Sequence, residues 1–170
     1  CDGEHLAFMP LVQDHKRAFE GDKGPNTGGM GSYSDHDHSL PFLAKRDVLD
    51  AQHICEKVVK AVFDETGKPY KGILYGGFMS CAEGVKLIEF NARFGDPEAM
   101  NVLPILETDF VDICQVIIHG KLDQMNIQFT PRATVCLYVV PEGYPDQSKA
   151  GEIIEIGPIP DSVQLFYSSV

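Results

Sequence analysis

The stretch Val85–Glu98, VKLIEFNARFGDPE, decides the fold. Its first half alternates apolar and polar residues, the period of a strand, so Glu89 and Asn91 share one face while Phe90 points the other way. A carboxylate and an amide oxygen one strand period apart form a compact, hard oxygen pair. Such a pair suits a Mg²⁺ ion that keeps waters and phosphates in its shell. A merely polar, exposed strand end explains the same spacing, and both readings stand at this point. Arg93 and Asp96 follow at once. A guanidinium fork matches phosphate or carboxylate oxygens, but an ion pair from Arg93 to Asp96 or Glu98 is the plainer alternative.

Upstream, GILYGGFMS (Gly72–Ser80) is a second apolar run, separated from the first by a short connector centred on Ala82-Glu83-Gly84. The two runs predict an antiparallel hairpin. Before them, Val48, Ala51, Ile54/Cys55, Val58 and Val62 recur at helical spacing, predicting a helix over Ala44–Thr66 that stops at Gly67 and Pro69. After them, helix is expected from Pro97 and again from Thr108, as N-cap, to His119, with Gly120 as C-cap.

Near the start, QDHKRAFEGDKGPNTGGMGSYS (Gln13–Ser34) is polar, glycine-rich and cationic. It reads as a loop. GPNTGGMG could bring backbone N–H groups close to an anion, or could be a cluster of ordinary turns. Asp2-Gly3 predicts a hairpin turn with His5–Val12 as the outgoing strand. Asp35, His36, Asp37 and His38 look metal-like but lack a second cluster at ligand spacing, so a polar loop is the expectation.

Lys121–Pro131 reads as a polar linker. Strands are expected at Arg132–Pro141, in EIIEI and in VQLFYSS. The fold class is therefore α+β, an antiparallel sheet with packed helices in residues 1–128, then part of a β-rich domain in residues 129–170.

At 44% apolar and 23% charged residues the chain has an ordinary globular composition. A net charge of −11 argues against nucleic-acid binding, and no apolar run approaches the roughly 18 residues of a membrane span. The five cysteines are scattered and form no CxxC, so neither a disulfide framework nor a zinc site is indicated. The absence of an initial Met suggests a fragment.

QDHKR, GPNTGGMG, GILYGGFM and EFNARFGDPE, in this order and spacing, resemble the phosphoribosylamine–glycine ligase family (glycinamide ribonucleotide synthetases) of the ATP-grasp superfamily. Ala99-Met100 departs from the Thr-Gln common at that place. The resemblance implies an ATP-grasp lobe and ligation of glycine to 5-phosphoribosylamine through an acyl phosphate, with ATP and Mg²⁺ or Mn²⁺ as cofactors. It implies no nucleic-acid or membrane partner and a cytoplasmic location. It places the metal on Glu89 and Asn91, ATP on Arg17, Asn26 and Lys16, and the phosphate clamp on Arg93. Gly28, Gly29 and Asp96 fall on the substrate side. The family enzyme is much longer, so this chain alone is expected to be inactive. The alternatives are another ATP-grasp carboxylate–amine ligase or an inactive fragment that keeps only the fold.

Overall fold

The computed structural model describes residues 1–168. The chain divides into two units, Cys1–Tyr138 and Val139–Val170. Among the described residues the first carries the α-helices and strands: β1 (Gln13–Phe19), β2 (Lys23–Ser34), α1 (Lys45–Thr66), β3 (Tyr75–Cys81), β4 (Gly84–Asn91), α2 (Ala99–Val102), α3 (Phe110–His119) and β5 (Thr134–Leu137). The strands form two antiparallel sheets, ordered β1-β2-β5 and β3-β4.

The opening stretch is a hairpin and not the expected loop. β1 and β2 run back to back from Gln13↔Tyr33 to Phe19↔Lys23. Between His15↔Gly31 and Arg17↔Asn26, two steps along β1 correspond to five along β2, so Thr27–Met30 bulges out of the ladder. Backbone pairing holds this hairpin, which explains why its side chains show no apolar alternation.

α1 matches its expected span and ends on Gly67 in the left-handed conformation. It packs against β3 and β4 with Val59 buried. The β3–β4 hairpin also matches the expectation, with one extra residue on β4 where Phe78↔Leu87 gives way to Gly77↔Glu89. The helix expected from Pro97 is short, Ala99–Val102, and continues as a 3₁₀ turn over Leu103–Ile105. α3 is capped by Asp109 and not by Thr108. The Asp109 carboxylate accepts from the N–H groups of Val111 and Asp112, while Thr108 Oγ1 accepts from Gln128 N at 2.8 Å.

Asp2-Gly3 is not a strand turn, because the Asp2 side chain takes the nearby donors. Its Oδ1 accepts from Glu4 N and His5 N, and its Oδ2 accepts from Leu122 N at 2.9 Å. Burial opposes the charge on Asp2, yet the donors of His5, Glu4 and Leu122 hold its carboxyl well below the usual range. Among the described residues no strand pairs with His5–Val12.

The expected linker over Lys121–Pro131 is packed structure. Leu122 is buried with Ile113 and Ile117 in a small core flanked by Leu106, Val116, Met125 and Ile127. Glu107 N donates to Gln128 O, and Thr130 N donates to Ile105 O. Phe129 bridges to Leu106. β5 is shorter than the expected strand; it pairs with Gly31–Ser34 of β2, and Tyr138 N beyond it donates to Met30 O at 3.0 Å.

One buried amide joins three elements. Asn101 of α2 is fully buried, and its Nδ2 donates to Ser32 O of β2 and to Thr134 O and Oγ1 of β5. Its Oδ1 accepts from Ser32 Oγ. In the second unit, EIIEI and the described part of VQLFYSS form no strand. Ile153, Ile154 and Phe166 are exposed there, and no described strand edge pairs with these segments. Ser169 lies outside the described residues.

Candidate functional site

The metal-like pair sits where the alternation placed it. Asn91 stands opposite Tyr75 and Glu89 opposite Gly77, so no side chain faces the Glu89 carboxylate from across the ladder. Phe90, between them, meets Phe78 edge-on at 6.1 Å and lines a groove with Val58, Val59 and Val62 of α1. Glu89 is exposed, and among the described residues nothing bonds its carboxylate. Arg93 Nη2 lies 3.5 Å from Asn91 Oδ1, and its Nη1 donates to Phe94 O at 2.7 Å. The ion pair from Arg93 to Asp96 or Glu98 is not formed among the described residues. An exposed carboxylate and a half-buried amide oxygen beside a guanidinium fit a divalent cation carrying phosphate ligands.

The β1–β2 hairpin carries the second group. Arg17 and Asn26 are direct cross-strand partners, both exposed, and Arg17 Nη1 donates to Gly24 O at 2.8 Å. The carbonyl of Lys16 accepts from Thr27 Oγ1, and Lys16 Nζ lies 3.7 Å from Asp14 Oδ2. Thr27 Oγ1 in turn accepts from Gly29 N, which shapes the bulge.

The bulge touches the loop after β4. A Cβ on Gly29 would lie 2.5 Å from Pro97 Cδ, 3.0 Å from Asp14 Oδ1 and 3.4 Å from the Asp96 carbonyl. Only a glycine permits that approach. The fold therefore joins Gly29 with Asp96, Arg17 with Asn26, and Asn91 with Arg93. Gly28 is exposed, with open space around it. Asp96 is held at its other end, where Oδ1 accepts from Tyr138 Oη.

Sequence reasoning missed three residues beneath this seam. Tyr75, Glu98 and Asp14 come from β3, the loop before α2, and β1. Tyr75 Oη donates to Glu98 Oε1 at 2.7 Å. The Tyr75 ring lies so close to Gly95 that a Cβ there would sit 2.7 Å from Cε2. Asp14 Oδ1 and Glu98 Oε2 are buried without a hydrogen-bond donor. Burial and then the nearby charge of Glu98 push the Asp14 carboxyl up to about 6, with Lys16 opposing. Burial and the hydrogen bond to Glu98 push the Tyr75 phenol up. The polarity of Tyr75 within an apolar run, directly opposite Asn91, was the one available signal.

Two other acidic clusters have local explanations. Asp35, His36 and Asp37 do converge, but Asp35 Oδ1 caps His36 N at 2.6 Å in an exposed turn. Asp2, His5 and Asp123 converge around the Asp2 hydrogen bonds already described. No helix among the described residues is long and apolar enough to cross a membrane.

The chain is similar to known proteins in sequence and fold. The profile of the family described as "Phosphoribosylglycinamide synthetase, ATP-grasp (A) domain" matches residues 1–99. The phosphoribosylamine–glycine ligase of Methanocella arvoryzae is 54% identical over 169 residues, 99% of this chain and 39% of that protein. That of Methanobrevibacter smithii is 56% identical over 173 residues, 100% of this chain and again 39% of the relative. The chain thus spans about two fifths of the length of these curated relatives. A crystal structure of the Thermotoga maritima phosphoribosylamine–glycine ligase superposes with a TM-score of 0.69 at 31% identity, over 86% of this chain and 36% of that one. The chain therefore belongs to the phosphoribosylglycinamide synthetase family, in its ATP-grasp domain over residues 1–99.

Proposed function

We propose that the protein carrying this chain ligates glycine to 5-phosphoribosylamine at the expense of ATP, giving glycinamide ribonucleotide, ADP and phosphate. The observation that carries this reading is the seam at Gly29. It sets the QDHKR–GPNTGGMG hairpin, which carries the resemblance to this family, against the GDPE loop.

The chemistry has two displacements. A carboxylate oxygen of glycine attacks the γ-phosphorus and ADP leaves, forming glycyl phosphate. The nitrogen of phosphoribosylamine then attacks the acyl carbon, phosphate leaves and the nitrogen loses its proton. Glu89 and Asn91 would hold Mg²⁺ or Mn²⁺, which when bound supplies charge neutralisation at the phosphate oxygens. Arg93, beside that pair, clamps the transferring phosphoryl and the acyl phosphate with its planar fork. Arg17, Asn26 and Lys16 orient the nucleotide from the hairpin. The bulge at Gly28 and Gly29, with Asp96, borders the substrates.

On this reading residues 1–128 are the end of the ATP-grasp domain and residues 129–170 open the next, whose first strand is added to the hairpin sheet as β5. The protein works in the cytoplasm on small molecules. The 170-residue chain by itself turns over little, since it spans only 39% of its relatives. The test is glycine-dependent ADP release by the full-length protein with phosphoribosylamine. ADP release indifferent to glycine overturns the reading.

A further inference from the structure

β5 and the residue after it hold the α2 segment at two points. Thr134, Cys136 and Tyr138 are half-buried and alternate with the exposed Val135 and Leu137, so the first three share one side of the strand. Thr134 bonds Asn101 of α2. Tyr138, two strand periods on, reaches the loop before α2, where its Oη donates to Asp96 Oδ1. Its backbone is fixed as well. Tyr138 N donates to Met30 O at 3.0 Å, which carries the β2–β5 pairing to the edge of the Thr27–Met30 bulge.

An aspartate on the surface does not need such a partner. Asp96 is exposed, and water satisfies an exposed carboxylate without help from a side chain 42 residues away. β5 is already joined to β2 by its ladder and to α2 through Asn101, so the phenol adds little to the fold. Its effect falls on Asp96 itself. A fixed donor on one oxygen removes the rotational freedom of the side chain. The Asp96 carbonyl is confined in turn by the approach of Gly29, so backbone and side chain are both held. Oδ1 is taken by the phenol, and among the described residues nothing bonds Oδ2. A carboxylate oriented before its ligand arrives loses less freedom on binding.

We infer that Tyr138 is a positioning residue for the ligation, fixing the Asp96 carboxylate in the orientation that meets a substrate. This rests on the ligase reading above, which sets Asp96 at the border of the substrates. The phenol does not touch the substrate. It acts through Asp96 alone, donating to Oδ1 and leaving Oδ2 to accept from a substrate N–H or O–H.

The test is a double-mutant cycle in the full-length protein, with Asp96→Ala, Tyr138→Phe and the two together. Asp96→Ala should raise the KM for either glycine or phosphoribosylamine about thirtyfold or more, which identifies the substrate that the carboxylate meets. Tyr138→Phe should raise that same KM about three- to tenfold, while the KM for ATP moves less than about twofold. In the Asp96→Ala background Tyr138→Phe should change the KM less than about twofold, because the group it positions is gone. Independent effects of the two substitutions overturn the inference and leave Tyr138 a structural residue. So does an unchanged KM in Tyr138→Phe, an equal loss for ATP and both substrates, or an Asp96→Ala variant with neither KM raised. Crystal structures of the unmodified protein and of Tyr138→Phe, both without substrate, test the positioning apart from turnover. A single Asp96 rotamer in the first and a displaced or divided one in the second support it, and the same rotamer in both overturns it. If the unmodified protein shows no glycine-dependent ADP release, the ligase reading fails. The rotamer comparison alone then decides whether Tyr138 positions Asp96.

Discussion

Asp14→Asn should change how stability depends on pH. The Asp14 carboxyl stands at about 6 in the folded protein against 3.8 for an unperturbed aspartate. The folded state therefore takes up this proton more readily than the unfolded state. Its favourable contribution is complete below the unfolded value and is lost as pH rises through the folded one. A displacement of about two units corresponds to a ceiling of about 3 kcal/mol, and screening by solvent and Lys16 reduces this to about 1–2 kcal/mol. Asparagine keeps the shape but has no proton to lose. The variant should match the parent residue near about pH 4 and exceed it by about 1–2 kcal/mol near about pH 8. Urea unfolding of both forms of the full-length protein across that range, without substrate, measures the difference. An advantage that stays flat with pH, or a variant less stable at the alkaline end, refutes the reasoning that burial and Glu98 strain this carboxylate.

Glu89→Ala should cut metal-dependent turnover of the full-length protein by about a hundredfold or more while leaving its unfolding midpoint nearly unchanged. A retained kcat removes Glu89 from the metal site. Tyr75→Phe deletes the hydrogen bond to Glu98 Oε1 and leaves that buried carboxylate with no donor at all, at an expected cost of about 1–3 kcal/mol in urea unfolding. An unchanged midpoint would mean that this hydrogen bond contributes nothing to the stability of the fold. Gly29→Ala places a methyl 2.5 Å from Pro97 Cδ. It should cost about 1–3 kcal/mol and raise the KM for glycine. A neutral outcome in both measurements removes the seam from the argument.

The legibility of each element followed from where its bonding partners lie. Glu89 and Asn91 were readable because β3 and β4 pair with each other across a short turn, so alternation alone sets their faces. α1 was readable from its own periodicity and its Gly67 stop. The β1–β2 hairpin was not, because bulged backbone pairing holds it together and its half-exposed side chains leave no pattern. The Asp14–Glu98–Tyr75 cluster was out of reach for a different reason. Its members come from three elements distant in sequence, joined by the Tyr75–Glu98 hydrogen bond and by the approach of Gly29 to Pro97. The apolar runs of the tail, EIIEI and VQLFYSS, have strand composition, but composition supplies no neighbour to pair with.

The buried amide of Asn101 bears on how proteins of this kind can be cut. It bonds β2 and β5 at once, so a piece ending after α3 would lose its Thr134 partners and expose a polar hole at its centre. A piece extended through Tyr138 keeps them. Gene fragments designed for expression, complementation or domain exchange should therefore carry the first strand of the downstream segment along with the upstream one. Swapping that strand between homologues should require the residues at positions 32, 101 and 134 to travel as a set.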